Sequence, residues 1–269
     1  MTSCNQGFAQ TALQPGILPR IPAPDSLAER LIHDAESDEL VIYTAPDLEP
    51  IQVKIIARFE SGMGDRVYAA QLRNIQDHPR YLFEEGEHSA LIFGPSRRDE
   101  SALYSLAVGR EPLTWHRHPS CAHRILTITT GSGGAMARFS LATEAEIAAD
   151  PLAIVRKMVV VELPPDSQVT LRFNGLTWHQ FGPRDPQHPA FAGNSVHKNE
   201  RHELAEVHAE RWLGTGERNA AETGSIPLLT KCLGPDLLAL LATDEVEQRA
   251  LRVSLGQGVA PLERGSSAT

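Results

Sequence analysis

The chain has 269 residues, 41% of them hydrophobic, and a formal charge of −9. That is enough apolar material for one elaborated domain, and no Lys/Arg cluster of the kind that binds a phosphate backbone is present, so nucleic acid is excluded as the expected partner. No apolar run approaches the roughly 20 residues that cross a bilayer, and the N-terminal MTSCNQGFAQTALQPG has neither a basic start nor an apolar core, so the expected location is cytoplasmic with no membrane partner.

Residues 1–25 are rich in Pro, Gln and Gly and read as an extended arm without visible chemistry. Ser26-Leu-Ala-Glu29 has the spacing of a capping box ahead of Leu31 and Ile32, which predicts a short helix ending near the acidic stretch at 35–39. From about 40 to 200 the chain falls into short runs rich in β-branched and aromatic residues: ELVIYT, IQVKIIARF, RVYAAQL, SALIFG, ALYSLAV, RILTITT, AMARFSLA, KMVVVEL, QVTLRF and TWHQF. Many short strands separated by Gly, Pro, Asp and Asn predict a mainly β domain over 26–200, a sandwich or barrel of antiparallel pairs. Gly131-Ser-Gly-Gly134 reads as a hairpin turn, and Asn174-Gly175 as a type I′ hairpin between QVTLRF and LTWHQF. Beyond 200 the spacing of Leu204, Val207, Trp212 and Leu213 turns helical, and Leu228 to Leu241 is an apolar stretch broken at Gly234-Pro235. The expected organisation is completed by a helical segment over 201–255, covering a sheet face or making a dimer contact, and a tail over 256–269.

The eleven histidines are unevenly spread, three of them falling within Thr114-Trp-His116-Arg-His118-Pro-Ser-Cys121-Ala-His123. On a strand, residues i and i+2 share a face, so His116 and His118 present two imidazoles to one point. The tetrapeptide Leu-Thr-Trp-His occurs at 113–116 and again at 176–179; if its two strands meet, His179 supplies a third ligand from a distant part of the chain, as mononuclear sites require. His123 is the candidate fourth, with Cys121 an alternative soft ligand, and a hydrogen-bonded structural histidine is the competing account of His123. A His-x-His pair also occurs on polar strand faces that hold no metal. Neutral imidazole suits Fe, Mn, Ni, Cu and Zn alike. Trp115 and Trp178 are assigned to packing rather than to substrate stacking.

This pattern resembles that of the cupin superfamily, whose first motif has a His-x-His pair, a Glu three or four residues beyond and later a Gly, and whose second motif supplies one more His. His116, His118 and Gly131 match the first motif and His179 the second, over about residues 105–185. The chain departs from the pattern where His123 stands in place of Glu, and where Phe173-Asn-Gly-Leu-Thr-Trp replaces the usual Pro-x-Gly before the last histidine. The resemblance implies a cupin-type double-stranded β-helix barrel with one divalent metal in its mouth, open to water and substrate, and a homodimer.

Other motifs carry less. Arg117 projects away from its histidine neighbours as an ion-paired or solvated residue, Arg172 is a weak candidate for an anionic substrate, and His197 lies on a late strand where it either lines the cavity or faces solvent. Glu162 and Asp166 are the nearest acids to the second motif and fall outside the barrel in this reading. His202-Glu-Leu-Ala-Glu206 begins like a zincin helix but lacks its second histidine, and Gly131–Gly134 lacks the Lys-Ser/Thr of a phosphate loop. Three scattered cysteines, Cys4, Cys121 and Cys232, make no disulfide framework. Two functions follow as expectations: a metal-dependent oxidoreductase or dioxygenase acting on a small anionic or phenolic substrate, or a non-catalytic protein that binds a metal or small molecule as sensor or structural subunit.

Overall fold

The computed structural model describes residues 31–34, 38–44, 49–84, 86–94, 101–118, 123–198, 231–232, 241 and 250–256. The N-terminal arm, the Ser26–Glu29 capping box, Cys121, the His202 motif and the tail lie outside the described residues, as do most of the helices expected over 201–249.

The elements run β1 (Leu31–Asp34), β2 (Glu39–Ile42), β3 (Ile51–Arg58), α1 (Met63–Gln76), β4 (Tyr81–Glu84), β5 (Glu87–Phe93), β6 (Ala102–Val108), β7 (His116–Arg117), β8 (His123–Thr130), β9 (Ala135–Ser140), α2 (Glu144–Ala149), α3 (Ala153–Arg156), β10 (Met158–Leu163), β11 (Ser167–Asn174), β12 (Trp178–Pro183), β13 (Phe191–His197), β14 (Lys231–Cys232) and β15 (Leu251–Ser254). They form a nine-stranded sheet in the order β1-β2-β3-β11-β8-β13-β6-β5-β4 and a six-stranded sheet in the order β14-β7-β12-β9-β10-β15. The fold is mainly β, as expected. It consists of two packed sheets, and no closed barrel forms among the described residues.

Alternation along the strands builds the core. Val169, Leu171 and Phe173 of β11, Leu126 and Ile128 of β8, Ala137 and Phe139 of β9 and Val159 and Val161 of β10 all enter one apolar cluster between the sheets. Phe139 and Phe181 meet edge to face in it and both are tilted against Phe173, with ring centroids 5.5–6.1 Å apart. Two outer layers cover the sheets. α1 lies on the nine-stranded sheet, where Tyr68, Leu72 and Ile75, at helical spacing, meet Ala90, Ala107 and Ala192. α2 and α3 cover the six-stranded sheet, where Ile147, Ile154 and Val155 bury Trp115, Trp178 and Met158. None of the described helices is long and apolar enough to cross a membrane.

Five local expectations are corrected. Leu31 and Ile32 are strand, not helix, because β1 pairs with β2 in register, Leu31 opposite Ile42. RVYAAQL is helix rather than strand. It is rich in good helix formers, and Asp166 holds the start of α1, accepting hydrogen bonds from the backbone N–H groups of Gly62 (3.2 Å) and Gly64 (2.7 Å). Gly64 is required there, since a Cβ would stand 2.0 Å from the Thr130 carbonyl oxygen. Neither glycine-marked turn is a hairpin: Gly131–Gly134 carries β8 of one sheet into β9 of the other, and Asn174-Gly175 carries β11 into β12 in the same way. The Asn174 turn is closed by Thr177 N–H on the Asn174 carbonyl (2.9 Å) and Leu176 N–H on its side-chain oxygen (2.9 Å), and both of its residues keep negative φ, unlike a type I′ turn. Finally, Leu251–Ser254, inside the stretch expected to be helical, is a strand parallel to β10.

Candidate metal centre

The two copies of Leu-Thr-Trp-His fold alike. In each, the tryptophan is buried under the outer helices, which agrees with its assignment to packing. In each, the histidine Nδ1 lies 2.8 Å from the carbonyl oxygen of the threonine two residues earlier, Thr114 for His116 and Thr177 for His179. A carbonyl only accepts, so Nδ1 donates in both rings, and Nε2 is the nitrogen that offers a lone pair when the ring is neutral.

β7 and β12 are antiparallel neighbours with His116 directly opposite His179, their ring centroids 4.3 Å apart. His118 shares the face of His116 as the i+2 spacing predicted, its centroid 5.6 Å from that of His116 and 5.4 Å from that of His179. Its backbone N–H donates to the Gly175 carbonyl (2.8 Å), so the inter-sheet turn that delivers His179 also anchors His118. One ligand nitrogen from each of the three rings lies within 4.8 Å of the others.

The site is dry. His116, His118 and His179 are 8%, 9% and 1% exposed, and the Phe173 and Phe181 rings pack on His179 at 4.7 and 5.4 Å. Burial pushes the His118 and His179 imidazoles well below the ordinary 6.5, and the nearby Arg124 charge and the other histidines act in the same direction. Three imidazoles, two with Nδ1 held on a backbone carbonyl, are a donor set that fits one transition metal with coordination positions left open.

The other expected residues are placed elsewhere. His123 stands at the start of β8 in a different phase from the inward-facing Leu126 and Ile128; its Nε2 is 2.8 Å from a Glu49 carboxylate oxygen and 3.4 Å from Arg172 Nη2. The structure does not bring it into the three-histidine group. Arg172 is bound to Glu49 at 2.6 Å. Arg117 pairs with Glu144 of α2 at 3.2 Å and lies 5.6 Å from the Trp178 ring, in keeping with its assignment as an ion-paired residue. Glu162 bonds Arg252 and Ser254 across the β10–β15 pair, away from the histidines, and Asp166 caps α1. His197 comes close: its ring is 5.5 Å from that of His118 and 4.7 Å from that of Tyr104.

Arg124 is the site neighbour that sequence reasoning missed. It is fully buried on β8, directly opposite Phe173 on one side and His197 on the other. The signal was legible: in RILTITT the arginine keeps phase with Leu126 and Ile128, the core positions of that strand.

No family model and no curated protein matches the chain. Among solved structures it is similar to a cupin 2 domain-containing protein from Halorhodospira halophila, at 14% identity and TM-score 0.34 over 62% of this chain and 85% of that one. It is also similar to a cupin-2 domain protein from Rhodospirillum rubrum, at 16% identity and TM-score 0.31 over 76% of this chain and 88% of that one. A third is the capsular polysaccharide assembling protein CapF from Staphylococcus aureus, at 10% identity and TM-score 0.30, where the match covers 45% of this chain and 30% of that one. Two packed sheets, with a His-x-His pair on one strand and His179 directly opposite on its neighbour, agree with the cupin resemblance read from the sequence.

Proposed function

We propose that His116, His118 and His179 hold one divalent transition metal, of the Fe, Mn, Ni, Cu or Zn group, and that the chain is a metal-dependent oxidoreductase of the dioxygenase class acting on a small anionic or phenolic substrate. The observation that carries this reading is the convergence of three neutral imidazoles from two segments about sixty residues apart. Bound there, the ion supplies a Lewis-acid or redox centre with open positions. The chain's residues supply the rest. The Thr114 and Thr177 carbonyls orient the His116 and His179 rings, and Phe173 and Phe181 exclude water behind them. The ligand set carries no charge of its own, which favours a substrate that brings a negative one. Among the described residues no carboxylate belongs to the histidine group, which supports redox or Lewis-acid chemistry over proton-transfer isomerisation. The homodimer belongs to the same reading, through β1 and β4, the edges of the nine-stranded sheet among the described residues.

The test is metal content by mass spectrometry on untagged protein, beside His179→Ala. About one equivalent of a transition metal in the wild type and its loss in the variant is the expected result, followed by oxygen consumption with a panel of small organic acids and phenols. A wild type that stays metal-free after reconstitution overturns the proposal.

A further inference from the structure

Arg124 carries a permanent charge on a fully buried side chain, and a guanidinium can serve more than one acceptor at once. Its position is specific. The cross-strand partners of Arg124 are Phe173 and His197, and each touches a different member of the histidine group: Phe173 packs on His179 at 4.7 Å and His197 on His118 at 5.5 Å. Directly paired residues share a face of the sheet, so Arg124 stands in one row with two residues that border the metal site.

We propose that Arg124 is the specificity-determining residue of the site and receives the anionic group, a carboxylate or its equivalent, of a ligand whose other end binds the metal. This rests on the metal reading above and narrows it from anionic or phenolic to anionic. A guanidinium offers five N–H donors on two edges, so it holds an internal acceptor and a ligand carboxylate together. An ion on three neutral histidines adds further positive charge to the same space, and a ligand that brings the balancing negative charge is favoured twice.

The experiment uses protein loaded with Co(II), whose visible absorption reports ligands entering the metal's open positions. Two probes share a metal-binding imidazole and differ in charge: imidazole-4-acetate, which carries a carboxylate, and 4-methylimidazole, which does not. The wild type is expected to bind the acetate probe roughly ten- to a hundredfold more tightly, the range of one charge-assisted hydrogen-bonded pair. Arg124→Gln is expected to bind cobalt normally and lose that preference. Arg124→Lys, which keeps the charge without the fork, is expected to retain part of it, and decides the question if the glutamine variant does not fold. Equal affinity for the two probes in the wild type, no response to either, or an undiminished preference in both variants overturns the assignment of Arg124 while leaving the metal site standing. A wild type that takes up no cobalt removes the metal reading and this inference with it.

Discussion

The two ends of the sheet sandwich use histidine in opposite ways. At one end His118 and His179 are surrounded by aromatic rings and one another, and burial holds them well below the ordinary value, as neutral donors. At the other end, where β8 and β11 meet α1, the His188 Nδ1 lies 2.7 Å from Asp65. That hydrogen bond raises the His188 imidazole above 6.5. Burial alone would raise the Asp65 carboxyl, but the hydrogen bonds from the Ser132 backbone and from His188 outweigh it and hold the group below 3.8. The same side chain is thus favoured as a lone-pair donor in one place and as a hydrogen-bonded partner of a carboxylate in the other. The difference lies in what surrounds it: burial among apolar rings disfavours the charged imidazole, whereas a facing carboxylate favours it.

The largest effect is expected where the metal end meets the core. Phe173 is 1% exposed and touches Phe139, Phe181 and His179; Phe173→Ala should cost about 3–5 kcal/mol in urea unfolding and weaken metal retention. A loss of stability with metal affinity intact would show that the histidines are held by the turn hydrogen bonds alone.

At the polar end, Asp166 accepts hydrogen bonds from Gly62, Gly64 and the Ser132 hydroxyl. Asp166→Ala should cost about 2–3 kcal/mol and loosen the first turn of α1 in hydrogen exchange, with metal content unchanged. Metal loss in that variant would mean that the two ends are coupled.

A smaller change tests the outer layer of the metal end. Thr143 closes a capping box with Glu146 on α2, the helix whose Glu144 holds Arg117 between the two ligand histidines of β7 and its following residue. Thr143→Ala should cost about 1 kcal/mol, read as a shift in the urea midpoint.

The smallest effect is in pH dependence. For His118 and His179 the folded value lies below the unfolded one, so their contribution to the stability of the metal-free protein is complete above pH 6.5 and is lost as pH falls below it. For His188 the sign reverses: its contribution is complete below 6.5 and is lost as pH rises through the raised folded value. Asp65→Asn removes that opposing contribution. Urea midpoints between pH 8 and 5.5 should therefore fall more steeply with acid in the variant than in the wild type, and the His188 ring should titrate nearer its ordinary value by NMR. Parallel midpoint curves would show that the ion pair contributes nothing to folding.

Local pattern was enough for the strand content, for the shared face of His116 and His118, and for the recurrence of Leu-Thr-Trp-His, because period-two alternation and short repeats are properties of contiguous residues. It was also enough, unused, to place Arg124 among the inward residues of β8. Where it failed, distant partners decided. Leu31–Asp34 is strand because β2 is beside it. RVYAAQL is helix because Asp166, a hundred residues on, satisfies its first N–H groups. Asn174-Gly175 has the composition of a hairpin, yet it joins two sheets, since β11 pairs with β3 and β8 while β12 pairs with β7 and β9. The sequence by itself determined which residue types are available as ligands and the faces they occupy on their own strands. Only the tertiary structure decided that His179 stands opposite His116 while His123 faces Glu49, because register and sheet membership are set by hydrogen bonds between segments that no local window contains.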